Sequence, residues 1–267
     1  MSSRHDDPSR DPVFGAPLCV PGWQVRLATT ADLPAIAALR ARAFRGDPAA
    51  RDLDDFDSDS LHLWVGRTGA GRGADPGLRA TLRLRVHRTA EALLSGYAAQ
   101  FYDLSALARA PGPVVELGRL CRAPDAGGAQ PDGDGLRLVW GGVARIVLNS
   151  RAARLIGCTS FATTTPATLA PALNLLAARY LGPESLRPAI KAPRVHRLET
   201  SPRPLDPAAP GLLPPLLRQY LALGGWVSDH LVIDRDLGTS HVFTCVDIAT
   251  MPQARKRVLT RLSAGQG

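Results

Sequence analysis

Apolar and polar positions along the chain change their period several times, and each change predicts an element. Trp23 to Ala28 alternates, which predicts a first strand. Thr29 or Thr30 then offers a cap, Asp32 a first-turn acid and Pro34 a residue tolerated early in a helix. In that helix Ile36, Leu39 and Ala43 share one side, while Arg40 and Phe44, four apart, share another. Strands follow over Leu61 to Val65 and Arg79 to His87. In the second, Leu82, Leu84 and Val86 alternate with Thr81, Arg83 and Arg85, the signature of an antiparallel strand with one polar face. Glu91 to Tyr97 reads as a short helix, and Val114 to Cys121 as a buried strand between Pro111-Gly112-Pro113 and a loop from Pro124 to Gly135.

Beyond that loop Leu136, Val139, Trp140, Val143, Ile146 and Val147 recur at helical spacing. A strand over Gly157 to Thr163 and a helix over Pro166 to Tyr180 come next. Pro183 to Pro210 is proline-rich, with one strand around Val195 to Leu198. A Pro-started, Gly-ended helix, Leu213 to Gly225, precedes strands at Trp226-Val227 and Val242 to Val246 around a turn at Asp234. The pattern predicts an α/β (α+β) protein: a disordered tail over 1–22, one domain over 23–250, and a basic tail or short helix over 251–267.

Charge narrows the partners. The 267 residues carry a net charge of +8, which suits an acidic partner: nucleic acid, an anionic membrane surface or an acidic protein. Arginines simply dispersed over the surface remain the plain alternative. The four cysteines are far apart, without metal-ligand or disulfide spacing, and read as reduced thiols of a cytoplasmic protein. No stretch is apolar enough to cross a membrane, so membrane contact would be peripheral. Thr68 to Gly73 is glycine-rich but lacks the Lys-Ser/Thr ending of a phosphate loop.

Chemistry concentrates in Val114 to Cys121, where Glu116 and Arg119 interrupt the apolar run. In a flat strand residues three apart face opposite ways; a bulge at Gly118 would turn both toward one cleft. A buried structural ion pair is the other reading. The acidic run Arg51 to Asp59 reads by composition as a solvated loop.

Glu116-x-x-Arg119, with Leu39-Arg40-Ala41-Arg42-Ala43-Phe44, Asp54-Asp55-Phe56-Asp57 and Thr81-Leu82-Arg83 upstream in that order, resembles the acyl-carrier-protein-dependent N-acyltransferases of the GNAT superfamily. Two branches share this pattern, the acyl-homoserine-lactone synthases and the ornithine N-acyltransferases that make lyso-ornithine lipid. Leu213-Pro214-Pro215-Leu216-Leu217, then Tyr220-Leu221, Gly224, Asp234, Gly238-Thr239 and Asp247 resemble the second branch, so the resemblance covers roughly Val25 to Ile248.

The resemblance implies a GNAT-like fold, a central mixed, mostly antiparallel sheet flanked by helices. It implies Glu116 as the base, directly or through a water, with Arg119 beside it as the second catalytic residue. Arg40, Phe44, Asp54, Asp57 and Arg83 would form the acceptor pocket. Arg122, Gly127, Gly128, Ser160 and Phe161 would receive the donor's phosphopantetheine arm. The partners implied are acyl carrier protein and ornithine or a similar amino acid, with no metal, no separate cofactor and no nucleic acid. Two features depart from the family: the loop Asp125 to Gly135 is longer and more acidic, and His241 stands where an acid is usual. The alternatives are a lactone synthase, whose usual tryptophan after the Phe44 region is missing; an acyl-CoA-dependent GNAT enzyme, whose compact basic loop is poorly matched by Arg122 to Gly128; and a carrier-binding module without turnover.

Overall fold

The computed structural model describes residues 11–47, 49–68, 77–124, 133–199 and 204–265. The chain divides into two compact units. The first comprises 1–85, 117–151 and 253–267, the second 86–116 and 152–252.

In the first unit the strand order is β1 (Leu18–Val20), β2 (Trp23–Leu27), β3 (Leu61–Arg67), β4 (Leu78–His87), β6 (Val114–Arg122), the last two continuing into the second unit. β1 through β4 pair antiparallel, with Val25 opposite Val65 and His62 opposite Arg83. β1 lies within the segment expected as a disordered tail, and Phe14 just before it is buried: two apolar anchors hold this stretch down despite its polar start. Helix α1 (Leu33–Phe44) buries Ile36, Leu39 and Arg40, whereas Ala43 faces out. Asp32 anchors its start, accepting from Thr29 N at 2.7 Å and from both guanidinium ends of Arg26.

Helix α4 (Gly133–Ser150) is the predicted amphipathic helix, extended by a turn, and it is covered on two sides. A Cβ on Gly142 would lie 2.7 Å from Leu63 of β3, and one on Gly141 3.0 Å from the Leu262 carbonyl of α8 (Gln253–Ser263). The glycine pair therefore lets a strand and a helix approach one helix at adjacent positions, a close-contact role for glycine.

The second unit has the order β7 (Arg154–Phe161), β11 (Thr239–Asp247), β10 (Trp226–Asp234), β9 (Val195–Arg197), all antiparallel. An isolated parallel bridge joins Leu181 and Val227, and a small pair forms from β5 (Tyr102–Asp103) and β8 (Ala189–Ile190). Alternate residues of β11 pack into two cores. Val242 joins Leu173 and Leu176 of α5 (Ala170–Arg179) and Leu217 of α7 (Pro215–Ala222); Phe243 and Cys245 join Tyr102, Leu93 of α2 (Ala90–Leu94) and Leu107 of α3 (Ser105–Ala108). The remaining helix, α6 (Ala209–Leu212), adds Ala209 to the first of these. β10, expected to be two residues long, runs for nine. Its register slips between Val227 and Leu231, and Ser228 takes up the slack: its hydroxyl accepts from Phe243 N and donates to the His230 carbonyl.

Candidate active site

In the first unit the acidic run turns out to be folded. Asp54 caps a turn of 3-10 helix over Asp55–Asp57, its carboxylate accepting from Phe56 N at 3.0 Å while Asp57 accepts from Asp54 N at 2.7 Å. The turn aims both carboxylates at arginines from three elements. Arg40 of α1 donates from Nε to Asp52 (2.9 Å) and from its two terminal nitrogens to Asp57 (2.7 and 3.2 Å). Arg83 of β4 donates to Asp54 and to Asp57. Arg119 of β6 donates to Asp52 (3.0 Å) and Asp54 (3.4 Å), its guanidinium 5.6 Å from the Phe44 ring centroid.

The structure thus groups the expected acceptor residues Arg40, Phe44, Asp54, Asp57 and Arg83 with Arg119, which was expected beside Glu116 as a catalytic residue. Asp52 is the member the sequence reading missed, although it lies in the same acidic run. The predicted polar face of β4 is correspondingly not solvated: Thr81 and Arg83 are buried, Thr81 donating to the Leu63 carbonyl. Depth divides the cluster. Arg40 is 1% exposed, whereas the Asp54 side chain is 28% exposed.

Burial by itself would raise the Asp57 carboxyl; the hydrogen bonds and charge of Arg40, the Asp54 N–H and Arg83 outweigh it and hold the group down at about 2. Asp52 is lowered by the same contest, burial against Arg119, Arg40 and Arg45. Cys121 beside them is pushed up to about 12 by burial and is an inert thiol.

The backbone carries the predicted irregularity one residue later than expected. Arg119 has φ +54°, a left-handed conformation that costs an ordinary L-residue about 1–2 kcal/mol. Gly118, where the bulge was expected, is not the residue with the left-handed conformation. The ion pairs of Arg119 hold it there.

Glu116 takes its partners in the second unit. Its carboxylate accepts from Ala98 N (2.6 Å), Tyr97 N (3.2 Å) and His87 Nε2 (2.8 Å). His87 was not singled out from the sequence, although the alternation through Arg83 and Arg85 continues to it. Gly96 is pressed against the pair, since a Cβ there would lie 2.7 Å from Glu116 Oε2 and 2.9 Å from His87 Cε1.

The expected donor residues are spread differently. Arg122 and Ser160 are exposed, and Phe161 is buried in the core with α5. Gly127 and Gly128 lie outside the described residues. His241, the departure from the family pattern, is buried opposite Ser160, its Nδ1 3.1 Å from the Tyr102 hydroxyl, which donates to the His241 carbonyl. Burial pushes this imidazole down to about 4. Among the described residues no three His, Cys, Asp or Glu side chains are grouped to hold a metal ion.

A family described as "Acetyltransferase (GNAT) domain" matches residues 38–129, which run from α1 through β6. The L-ornithine N(alpha)-acyltransferase of Rhodobacter capsulatus is 32% identical over 219 residues, 81% of this chain and 82% of that protein. The chain belongs to the L-ornithine N(alpha)-acyltransferase family. The enzyme of that name from Brucella abortus is 29% identical over 240 residues, 84% of each chain. Among solved structures, FeeM, an N-acyl amino acid synthase from uncultured soil microbes, aligns with 86% of this chain and 93% of its own at 10% identity and a TM-score of 0.47. This acyltransferase is an N-acyltransferase of GNAT fold, its sheet mostly antiparallel and flanked by helices. None of its described helices is long and apolar enough to cross a membrane.

Proposed function

We infer that this acyltransferase moves a (3-hydroxy) fatty acyl group from acyl carrier protein to the α-amine of ornithine, giving lyso-ornithine lipid. The observation that carries the reading is the 32% identity, over four-fifths of both chains, to an L-ornithine N(alpha)-acyltransferase. The donor thioester is already activated. The protein's tasks are to align the amine, remove its proton and stabilise the tetrahedral oxyanion, with no covalent enzyme intermediate. An α-amine is mostly protonated at neutral pH, so proton removal has to be assisted.

In the charged cluster, the exposed edge suits the acceptor better than the centre does. Arg40 spends its donors on Asp52 and Asp57, and so serves to hold the aspartates. Arg119, partly exposed, is the cation for the acceptor carboxylate, Asp54 is the acid for its side-chain ammonium, and Phe44 borders them, while Arg83, buried like Arg40, holds Asp54 and Asp57. That arrangement presents the α-amine. Glu116 belongs to the machinery that takes the proton.

The +8 charge supports an acidic carrier as donor partner. Arg145 and Arg154 are poor candidates for its docking: Arg145 donates to the Ser263 and Ala16 carbonyls, and Arg154, largely buried, to the Pro111 carbonyl.

Lipid mass spectrometry of a host expressing the chain tests donor and acceptor together. A new acyl-ornithine mass is expected. An acylated lysine or glutamine instead would overturn the acceptor, and purified protein working as well with acyl-CoA as with the acyl carrier would overturn the donor.

A further inference from the structure

We propose that the proton of the acceptor amine is taken by His87, with Glu116 as the residue that positions it. The inference rests on the amine-acylating reading above.

A carboxylate can only accept hydrogen bonds, and that of Glu116 already accepts two from fixed backbone donors, Tyr97 N and Ala98 N. Its third contact, at 2.8 Å, must therefore be a donation from His87 Nε2. A proton on Nε2 leaves the lone pair of the neutral ring on Nδ1. That nitrogen is buried and has no hydrogen-bond partner.

Glu116 has most of its acceptor capacity committed, whereas His87 has a lone pair committed to nothing. The ring cannot easily turn, because Gly96 lies against its Cε1 edge and Glu116 holds its far nitrogen. Nδ1 is thus a base of fixed direction, buried away from bulk water. An acid holding a histidine in one tautomer so that the other ring nitrogen can accept a proton is a familiar division of labour in acyl transfer.

The step balances. Once the ammonium has given one proton to solvent, the nitrogen lone pair of the resulting amine attacks the thioester carbonyl carbon, and the carbonyl π pair moves to oxygen. The N–H bond breaks, and its proton goes to Nδ1. The C–S bond then breaks as the carbonyl re-forms. The departing pantetheine thiolate takes the proton back from His87, leaving amide, free thiol and the starting imidazole.

His87→Gln separates this role from a structural one, because a glutamine amide can still donate to Glu116 and keep the Tyr97–Ala98 turn in place while offering no basic nitrogen. The expected result is a folded protein whose kcat falls by about 10² to 10⁴ with KM little changed. Glu116→Gln should lose kcat similarly, because an amide NH₂ facing Nε2 favours the opposite tautomer. Nitrogen NMR of histidine-labelled unaltered protein, with His87 assigned through its contact to Gly96, should show a neutral ring protonated on Nε2, and this needs no variant to fold. A ring protonated on Nδ1, or a folded His87→Gln enzyme with near-normal kcat, overturns the proposal. If the unaltered protein acylates no amine at all, the reading of function fails instead, and the tautomer measurement still stands by itself.

Discussion

In the first unit the buried Arg40 and Arg83 and the partly buried Arg119 face three aspartates, each aspartate paired with at least two of the arginines or their neighbours. In the second, one glutamate serves three donors while His87, His230 and His241 each keep a buried ring nitrogen without a hydrogen-bond partner. The difference follows from the cost of each group. An unpaired buried charge costs several kcal/mol, so a cluster of arginines and aspartates has to close on itself. A neutral imidazole nitrogen left without a partner costs only about 1–3 kcal/mol, and the fold can carry a few. The closed cluster is therefore suited to hold shape. The open one has lone pairs to give.

The largest effect should come from opening the closed cluster at its centre. Arg40→Ala leaves Asp52 and Asp57 buried with part of their partners gone, and denaturant unfolding should show a loss of about 3–5 kcal/mol. Combined with Asp57→Ala the losses should fall short of additive by about 0.5–3 kcal/mol; strict additivity would mean that the cluster is a set of independent contacts.

The next test belongs to the histidines. His241 is held neutral down to about 4, while its unfolded value is the ordinary one near 6.5. Between those values the unfolded chain binds the extra proton, so stability is lost as pH falls from about 6.5 toward 4 and levels off below, by about 3 kcal/mol. His241→Phe should remove that part of the pH dependence. An unchanged unfolding profile between these values would show that His241 is not its source.

Gly96→Ala should cost about 1–3 kcal/mol, because its Cβ would meet the Glu116 carboxylate and the His87 ring. Thermal melting that is unmoved would mean that the Gly96 turn yields easily, and would weaken the case for a fixed ring direction. Smallest of all should be Asp59→Ala. Asp59 is 67% exposed and 3.4 Å from Arg85, a surface pair expected to contribute less than about 1 kcal/mol and to fade with salt. A larger loss would mean that the closed cluster extends to the surface.

Much of this molecule was legible in one dimension. Periodicity placed α4, α5 and β4 close to their observed limits because each buries a face, and burial selects apolar residues at the element's own period. The order of Arg40, the Asp54 to Asp57 run, Arg83 and Glu116-x-x-Arg119 carried the family resemblance, and five of those charged residues do meet in one cluster. Tertiary structure decided the rest. Gly118 was the expected place of a bulge, yet Arg119 is the residue in the left-handed conformation, where ion pairs to Asp52 and Asp54, distant in sequence, offset the steric cost. The acidic run looked solvated because composition cannot show that arginines from a helix and two strands will surround it. Glu116 looked like a free base beside Arg119; its neighbours are His87 and the backbone of Tyr97 and Ala98, 18 to 29 residues away. Element period is written in consecutive residues and survives in the sequence. Which charge finds which partner depends on contacts between segments far apart along the chain, and only the folded chain supplies them.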